Sequence, residues 1–449
     1  MRLPPALRLL LPGIRVKRWM ALSLGSSALI VFGALCLIGQ EGMRGLYTLL
    51  LDRFPFLWRP VLGGMALALG VGGATLGMAM AVRSITAAFS SRKAGSLAEA
   101  LYQTRVLPAA PQVVAVGGGT GLPTVLRGLK THTANLTAVV TVMDSGGSSG
   151  RLRLELDVLP PGDVRNCLLA LAEDEERMAQ LFQFRFHSGE ALAGHSLGNL
   201  LLAGLDQLSG GLDRAVEEAS YMLSVRGQVL PATLDKTNLT ARMQDGAQVD
   251  GEEAIAEDPR RIERVGLNAP ARPYQPVLDV LGQAELITLG PGSLFTSVVP
   301  SLLVEGMSEA IVTSAAERFV IMNLMTQPGE TDDFTAHDHL RTLRDYVDIS
   351  RFHAMVVNTQ QPPDELLARY REDGSVPVKD DLQGDRAYGL RVIRAPLMSV
   401  MEVSGKPTIK HDTAALARLL TSEARCFRRS WTRWFTGASK RGTGNSFSP

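Results

Sequence analysis

A chain of 449 residues is too long for one ordinary domain, and its mean hydropathy of +0.08 indicates that apolar residues are concentrated in particular segments. The formal net charge of +1 gives no sign of a nucleic-acid-binding protein. The three cysteines, Cys36, Cys167 and Cys426, lie far apart and form neither a disulfide framework nor a zinc-ligand spacing, which favours a reducing compartment.

The N-terminal residues 1–83 are predicted to form a transmembrane hairpin. Residues 20–39 and 60–82 are nearly uncharged apolar stretches of about 20 residues, the length of a membrane-spanning helix. Basic residues before the first stretch and after the second predict that both flanks face the cytoplasm. The chain is therefore expected to be a multi-pass protein of the cell membrane with its main domain in the cytoplasm; two buried core helices are the alternative. Gly73 and Gly77 form a small-xxx-small pair that could support a homo-oligomer.

Two further segments flank the main domain. Residues 84–112 are polar and rich in small side chains, and they predict a juxtamembrane linker in which Ser96 and Glu99 have the spacing of a helix capping box. Residues 425–449 combine arginines with phenylalanine and tryptophan before a Gly/Ser-rich end. This basic aromatic tail suits an anionic membrane surface, and a plain solvated tail is the alternative.

Between residues 113 and 424, short β-branched runs alternate with helical patterns. This alternation predicts an α/β domain with an open parallel sheet covered by helices. The predicted strands are 113–116, 136–142, 285–289, 319–323 and 354–358. The predicted helices include 200–204, 215–223 and 414–421. The polar, proline-interrupted stretch 234–276 indicates a β-hairpin excursion.

A glycine-rich turn follows the first predicted strand and precedes a helical pattern. This geometry points backbone N–H groups at an anion, and glycines leave room for a phosphate. The candidate phosphate-binding residues are Gly117, Gly118, Gly119, Thr120 and Gly121. The spacing fits neither the usual dinucleotide fingerprint nor a P-loop, and a purely structural turn is the alternative.

The second predicted strand ends in MDSGGSSGRLR. Asp144 lies at the carboxyl end of the strand, where it could contact a ribose or hold Mg²⁺. The residues after it predict a flexible anion-binding loop, with Arg151 and Arg153 available for phosphate oxygens. The candidates from this loop are Gly147, Ser148, Ser149 and Arg151. A solvated Asp/Gly/Ser turn is the alternative.

Two motifs further along add polar candidates. In LPPGDVRN, Asp163 could cap the next helix, whereas Arg165 and Asn166 could face the ligand. In GHSLGN, Ser196 matches the G-x-S-x-G pattern of serine hydrolases, but no apolar strand precedes it as that motif requires. His195 and Asn199 suit the start of a helix, where they could contact a ligand or satisfy buried backbone.

Two more strand ends complete the predicted site. Gly290, Gly292 and Ser293 follow the strand at 285–289 and could form a third wall around the ligand. Polar residues after the next strand are also candidates: Asn323, Thr326 and Gln327. The acidic residues Glu330, Asp332 and Asp333 are expected to cap a helix, and His337 and His339 are expected at the surface.

Six motifs, in this order, closely resemble the YvcK branch of the CofD-like superfamily over residues 113–424: VVAVGGGTGLPTVLRGLK, TVMDSGGSSGRLR, LPPGDVRNCLLAL, GHSLGNLLLAGL, ITLGPGSLFTSVVPSLL and NLMTQPGETD. The resemblance implies a Rossmann-like fold, with helices on both faces of the sheet and a nucleotide site built from these loops. In the CofD branch it implies Mg²⁺-dependent transfer of a phospholactyl group from an activated nucleotide. In the YvcK branch it implies binding of UDP-sugars such as UDP-N-acetylglucosamine and an influence on carbon use, cell shape and wall synthesis.

Two features depart from that family pattern. Many relatives have a second aspartate directly after the one matched by Asp144, whereas Ser145 stands here, which weakens the case for a two-carboxylate Mg²⁺ site. The N-terminal hairpin also departs from the usual soluble form of the family.

The leading hypothesis is a membrane-tethered UDP-sugar-binding regulatory protein that links carbon metabolism during gluconeogenic growth to cell shape and cell-wall synthesis. Its expected partners are the nucleotide sugar, the membrane and wall-synthesis proteins. The first alternative is a Mg²⁺-dependent transferase of phosphorus-containing groups, with Asp144 holding the metal. The second is a serine hydrolase that uses Ser196. The pattern identifies no firm catalytic residue.

Overall fold

The computed structural model describes residues 16–38, 59–89, 107–189, 191–403 and 405–427. The chain divides into two compact units, residues 1–108 with 432–449, and residues 109–431. The helix predicted around Ser96 and Glu99 and most of the basic aromatic tail lie outside the described residues.

The described part of the N-terminal unit contains the helices α1 (Val16–Ile38) and α2 (Arg59–Phe89). They pack closely through glycines: a Cβ on Gly73 would lie 2.3 Å from Ser26 Oγ, and one on Gly33 would lie 2.8 Å from Gly63 O. Gly73 therefore packs against α1 of the same chain. Since α2 continues to Phe89, the linker predicted from residue 84 begins inside this helix.

One segment of α2, Gly63–Met80, is long and apolar enough to cross a membrane, with a mean hydropathy of 1.4. The apolar part of α1, Leu22–Ala34, is shorter than a full span. Buried helices and signal sequences can have the same length and composition, so the two-span hairpin stays a prediction.

The second unit alternates strands and helices as predicted. Its strands are β1 (Val113–Gly117), β2 (Leu136–Val140), β3 (Gln228–Pro231), β4 (Leu239–Met243), β5 (Gln248–Asp250), β6 (Ile262–Leu267), β7 (Leu286–Leu289), β8 (Glu317–Ile321), β9 (Ala354–Asn358), β10 (Arg386–Ala387), β11 (Leu390–Ala395), β12 (Met398–Val403) and β13 (Lys406–His411). Its helices are α3 (Leu122–Leu129), α4 (Gly147–Leu156), α5 (Gly162–Leu171), α6 (Glu175–Phe182), α7 (Leu197–Ser209), α8 (Leu212–Met222), α9 (Glu252–Glu257), α10 (Gln275–Gln283), α11 (Val299–Leu303), α12 (Met307–Thr313), α13 (Ala336–Arg344), α14 (Asp364–Glu372) and α15 (Thr413–Glu423). A π-helix, Leu294–Val298, precedes α11.

Eight strands form the main sheet in the order β10-β11-β9-β8-β7-β1-β2-β3. Every neighbouring pair is parallel except β10 and β11. Buried apolar side chains cover both faces, with Phe295 and Met355 in one core and Phe319 and Leu168 in the other. The predicted Rossmann-like fold with helices on both faces is confirmed.

The strand order places a topological switch point between β1 and β7. From β1 the chain proceeds through β2 to β3 on one side, and the later strands β7, β8 and β9 extend on the other side. In open α/β sheets, ligands bind beyond the carboxyl ends of the strands at such a switch point. The loops after β1 and β7 are therefore the two central candidates for ligand contact.

Two peripheral predictions are changed by the structure. The excursion at 234–276 is a three-stranded antiparallel sheet, β5-β4-β6, with α9 inserted before β6, and Ile255 of α9 is fully buried. The predicted start of the tail at residue 425 is wrong. Phe427 is buried in the domain core, and the amide of Arg425 is bonded to the Glu317 carboxylate.

Candidate functional site

The glycine loop between β1 and α3 is built by close backbone contacts. A Cβ on Gly121 would lie 2.3 Å from Pro291 O, and one on Gly118 would lie 2.4 Å from Thr141 Cγ2. Gly119 has a φ of +60°, a left-handed conformation that favours glycine. Packing against the neighbouring loops therefore explains Gly118 and Gly121, whereas Gly119 is explained by its own backbone.

Asp163 holds the glycine loop from the start of α5. The Gly119 N–H donates to Asp163 Oδ2 over 2.6 Å, and the Asp163 side chain makes no capping bond to its own helix. Asp163 therefore does not cap α5, which is the other role that the sequence predicts for it. Burial, reinforced by Asp144, raises the pKa of Asp163 to about 6, although the hydrogen bond from Gly119 opposes the shift.

The segment after Asp144 is a helix, not the predicted flexible loop. The helix α4 begins at Gly147, and Asp144 Oδ1 accepts a hydrogen bond of 2.8 Å from Gly146 N in the turn before it. The predicted anion-binding residues Ser148 and Ser149 therefore lie in the first turn of a helix, where backbone amides lack partners inside the helix. Arg151 donates to Ala193 O over 2.8 Å, so at least this donor is directed at a neighbouring backbone.

A buried polar network lies behind the first turn of α4. Ser148 Oγ is 3.0 Å from His195 Nδ1, and Asn199 Nδ2 donates to Ser148 Oγ over 3.1 Å. Arg165 Nη1 donates to Asn199 Oδ1 over 2.7 Å and to Ser196 Oγ over 2.5 Å. The motifs GGSSGR, GDVRN and GHSLGN are thus brought together, as a shared site requires.

Two members of this network have clear roles. Ser196 caps α7 by accepting from Asn199 N, and its hydroxyl oxygen also accepts from Arg165. Arg165 donates a further bond to Asn166 Oδ1 over 3.0 Å, whereas its buried Nε has no partner within the described residues. A buried guanidinium with an unpaired donor places positive charge behind the first turn of α4.

The third predicted wall is held by Asn323. Gly292 N donates to Asn323 Oδ1 over 3.1 Å, and Asn323 Nδ2 returns a bond to Gly292 O over 2.8 Å. Gly290 N donates to Val116 O, which ties this loop to the end of β1. Ser293 directly precedes the π-helix, and its carbonyl accepts from Ser297 N.

Residues after β8 serve mainly to support that wall. Thr326 Oγ1 accepts from Val376 N, so this side chain is engaged by a neighbouring loop. Gln327 Nε2 donates to Glu330 Oε1 over 3.1 Å, and Glu330 in turn accepts from Phe295 N and Thr296 Oγ1. Glu330 is only 4% exposed, and burial raises its pKa to about 7.

Two predictions about these acidic and histidine residues are wrong. Glu330 does not cap α13: Thr335 and Asp338 form the capping box of that helix. His339 is buried instead of lying at the surface, because α13 directs it to the same face as Leu340 and Leu343.

Two charged residues at the candidate site are not among those predicted from the sequence. Lys410 Nζ donates to Thr120 Oγ1 over 3.0 Å, which brings a cation from β13 to the glycine loop; burial, with Arg127 nearby, lowers the pKa of this lysine. Glu252 of α9 lies near Asp144, and burial together with Asp144 raises its pKa to about 8. Residues 251–258 form an acidic stretch inside the polar segment 234–276, whereas no local pattern in the sequence marks Lys410.

The carboxylates do not form a protein-only metal cage. Among the described residues, no group of three or more His, Cys, Asp or Glu side chains could hold a metal ion. Asp144 alone does not make such a site, and Mg²⁺ bound here would depend on phosphate oxygens of a ligand.

Comparison with known proteins identifies the family. The family described as 2-phospho-L-lactate transferase CofD matches residues 113–398. The chain belongs to this family. Within it, the similarity is to proteins named as gluconeogenesis factors, which confirms the resemblance to the YvcK-like branch.

Two relatives and one solved structure define the similarity. The "Putative gluconeogenesis factor" of Nostoc sp. (strain PCC 7120) is 40% identical over 423 residues, covering 91% of this chain and 90% of that protein. The "Gluconeogenesis factor" of Bacillus subtilis (strain 168) is 44% identical over 311 residues, covering 69% of this chain and 97% of that protein. A crystal structure of a Bacillus halodurans protein, 43% identical, covers 69% of this chain and 99% of its own with a TM-score of 0.66.

The two relatives differ in how much of this chain they match. The Nostoc match covers 91% of the chain and so must include part of the N-terminal region, whereas the B. subtilis match corresponds in extent to the α/β unit. Relatives of both lengths therefore occur, and the N-terminal region is not peculiar to this chain.

Proposed function

We propose that this chain is a membrane-tethered regulatory protein that binds a nucleotide sugar at the β1–β7 switch point and links carbon metabolism to cell shape and cell-wall synthesis. The observation that carries the proposal is the meeting of the glycine loop with the Gly290–Ser293 turn at the switch point. The backbone of Gly121 approaches Pro291 so closely that a side chain would not fit between them. Loops of this kind at a switch point are the usual ligand-binding elements of open α/β sheets.

The charges around these loops support a phosphate-containing ligand. Lys410 approaches the glycine loop at Thr120, and the buried Arg165 lies behind the first turn of α4. Phosphate groups are bound in proteins by such cations together with helix N-termini. Asp144 and Glu252 add acceptors that suit the hydroxyl groups of a ribose or sugar.

The uridine base and the sugar are proposed from the YvcK-like resemblance. The role in carbon metabolism is supported by the name of the B. subtilis relative, "Gluconeogenesis factor". The link to cell shape and wall synthesis, with wall-synthesis proteins as partners, rests on the same resemblance.

Calorimetry of the full chain in detergent tests the ligand directly. We expect heat of binding with UDP-N-acetylglucosamine and UDP, and weaker or no binding with GDP and NADP. Gly119→Val should abolish binding, because φ at this position is +60° and a Cβ would lie 2.9 Å from Ser297 Oγ. The absence of heat with every uridine nucleotide would overturn the proposal.

The membrane tether requires a separate test. We expect the full chain to remain in the membrane fraction after an alkaline carbonate wash, because Gly63–Met80 has the length and hydropathy of a membrane span. A variant with Leu67 and Leu69 replaced by arginine should be extracted, since charges inside the apolar part of a span are strongly unfavourable. Extraction of the unaltered chain would contradict the tether.

A Mg²⁺-dependent transferase is the second candidate, and the family match over residues 113–398 favours it. Phosphoryl transfer depends largely on positioning and charge neutralisation, both of which the loops and cations can supply. The full chain should then release a mononucleotide from an activated nucleotide diphosphate donor when Mg²⁺ and an acceptor alcohol are present. Unchanged donor under these conditions would leave binding as the function.

A further inference from the structure

The hydroxyl of Ser148 is arranged differently from the other serines of the site. Ser196, which fits the hydrolase motif, accepts bonds from both Arg165 Nη1 and Asn199 N, and no histidine nitrogen of the described residues is bonded to it. Ser148 Oγ, in contrast, is 3.0 Å from His195 Nδ1. A serine hydroxyl next to an imidazole nitrogen is the usual arrangement of an activated nucleophile and its base.

The hydrogen-bond donors around Ser148 fix the direction of its own proton. Arg165 can only donate, so the oxygen of the Asn199 amide faces Arg165 and its nitrogen faces Ser148. Ser148 Oγ therefore accepts from Asn199 Nδ2. Its proton is then free to be donated to His195 Nδ1, which satisfies both groups.

His195 has the environment of a neutral base. Its side chain is 1% exposed, and burial followed by the nearby Arg151 lowers its pKa, so the imidazole is unprotonated near neutral pH. Asn199 orients the serine from the other side. The pair thus has the hydrogen bond between nucleophile and base that nucleophilic catalysis requires.

The position of Ser148 in the fold places it next to an anion site. It is in the first turn of the ten-residue helix α4, where backbone amides can stabilise negative charge on a phosphoryl group. The Glu253 carboxylate lies 3.4 Å from Gly147 N, so this turn already receives a negatively charged oxygen from the chain itself. A phosphate of a ligand seated in the β1–β7 loops would take the place of that carboxylate.

We propose that Ser148 is a nucleophile that accepts a phosphate-linked group from a nucleoside diphosphate ester, with His195 as its general base. The inference rests on the nucleotide site proposed above. Ser148 Oγ forms a bond to the distal phosphorus, and the bond from that phosphorus to the bridging oxygen breaks. The nucleoside monophosphate leaves with the electron pair of the broken bond, and the serine proton passes to His195 Nδ1.

Acid-quenched intact-mass measurements on the full chain with UDP-N-acetylglucosamine test this step. We expect the intact mass to increase by one sugar phosphate, with release of an equal amount of UMP. After digestion, the added mass should be found on a peptide containing Ser148. Ser148→Ala should give neither product, and His195→Gln should slow both by about 100-fold or more, because a general base contributes on that order. Ser188→Ala, an exposed serine on the loop that precedes His195, serves as the matched control and should react like the unaltered chain.

The outcomes separate this inference from the proposed function. Binding heat with UDP-N-acetylglucosamine but no adduct and no UMP would overturn the nucleophile and leave the binding function intact. UMP release by Ser148→Ala at the unaltered rate would also overturn it. No binding heat would remove both. Because the unaltered chain alone gives the deciding mass, the conclusion does not depend on whether the Ser148 variant folds.

Discussion

The amide of Gly119 donates a hydrogen bond to the carboxylate of Asp163 over 2.6 Å. This bond joins the glycine loop after β1 to the start of α5, 44 residues further along the chain. It holds Gly119 in its left-handed conformation, with φ at +60°. The shape of the loop therefore depends on a residue that the loop motif does not contain.

Replacement of Asp163 should separate the effect of its hydrogen bond on stability from the effect of its charge. Burial raises the pKa of Asp163 to about 6 from an ordinary value of 3.8, so the folded protein binds more protons than the unfolded chain between these values. The stability contributed by this group is thus present below pH 4 and is lost as the pH rises to about 6. Asp163→Asn keeps an acceptor oxygen and removes the titration.

Urea unfolding at several pH values between 4 and 7 measures this effect. Relative to the unaltered chain, Asp163→Asn should become progressively more stable as the pH rises through this range. Asp163→Ala should also lose ligand affinity, because no acceptor remains for Gly119 N. A pH dependence in Asp163→Asn identical to that of the unaltered chain would contradict the assignment.

Lys410 is expected to contribute directly to ligand affinity. Its ammonium group contacts Thr120 of the glycine loop, and hydrogen bonds to charged groups are worth more than neutral ones. Lys410→Gln should raise the Kd for UDP-N-acetylglucosamine by about ten- to a hundred-fold, measured by calorimetry. The matched control is Lys406→Gln, an exposed lysine on the same strand, which should bind normally. Equal affinities for the two variants would remove Lys410 from the site.

The sequence predicts where the candidate site lies because the motifs of that site are local. Each central loop consists of an apolar strand followed at once by glycine, as at Gly117 and Gly290, and parallel strands bring such loops to one edge. Lys410 could not be found in this way. It is 290 residues from Thr120, and its approach depends on how the β12–β13 hairpin returns to the sheet.

Two predictions are wrong because they follow the local amino-acid composition and not the packing of the residues. Gly147 and Gly150 suggested a flexible loop, but a Cβ on Gly150 would lie 1.9 Å from Ser145 O, so glycine allows a tight first helical turn here. His339 has polar neighbours, yet its position relative to Ala336, Leu340 and Leu343 follows the apolar face of a helix. The spacing along the helix therefore predicts the burial of His339 better than the polarity of its neighbours does.

The contact between the glycine loop and the β7 loop predicts a steric effect at Gly121. A Cβ there would lie 2.3 Å from Pro291 O and 2.6 Å from Pro291 C, and backbone atoms cannot move aside as a flexible side chain can. Gly121→Ala should lower the free energy of unfolding by about 1–3 kcal/mol, as overpacked sites do. Urea unfolding followed by circular dichroism measures the change.

A second glycine provides the matched control. Gly204 lies inside α7, and a Cβ on it would have no atom within 4 Å. Gly204→Ala should therefore stabilise the chain by about 0.5–1 kcal/mol through higher helix propensity. If both alanines had the same effect, the close approach of the two loops would not be the reason for glycine at position 121.

The reciprocal pair of hydrogen bonds between Asn323 and Gly292 predicts that the third wall depends on one side chain. Asn323→Ala removes a donor and an acceptor from a half-buried backbone position and should lower the free energy of unfolding by about 1–3 kcal/mol. Asn323→Asp keeps the acceptor for Gly292 N but places a carboxylate against Gly292 O, so it should also weaken the loop. Asn238→Ala is the matched control. The side-chain amide of Asn238 makes no hydrogen bond within the described part of the chain, so its loss should change the free energy of unfolding little. Ligand affinity should fall in both Asn323 variants and remain unchanged in the control, because Asn323, unlike Asn238, is bonded to the loop that faces the glycine turn. Normal stability and affinity in Asn323→Ala would show that the turn holds its shape without this side chain.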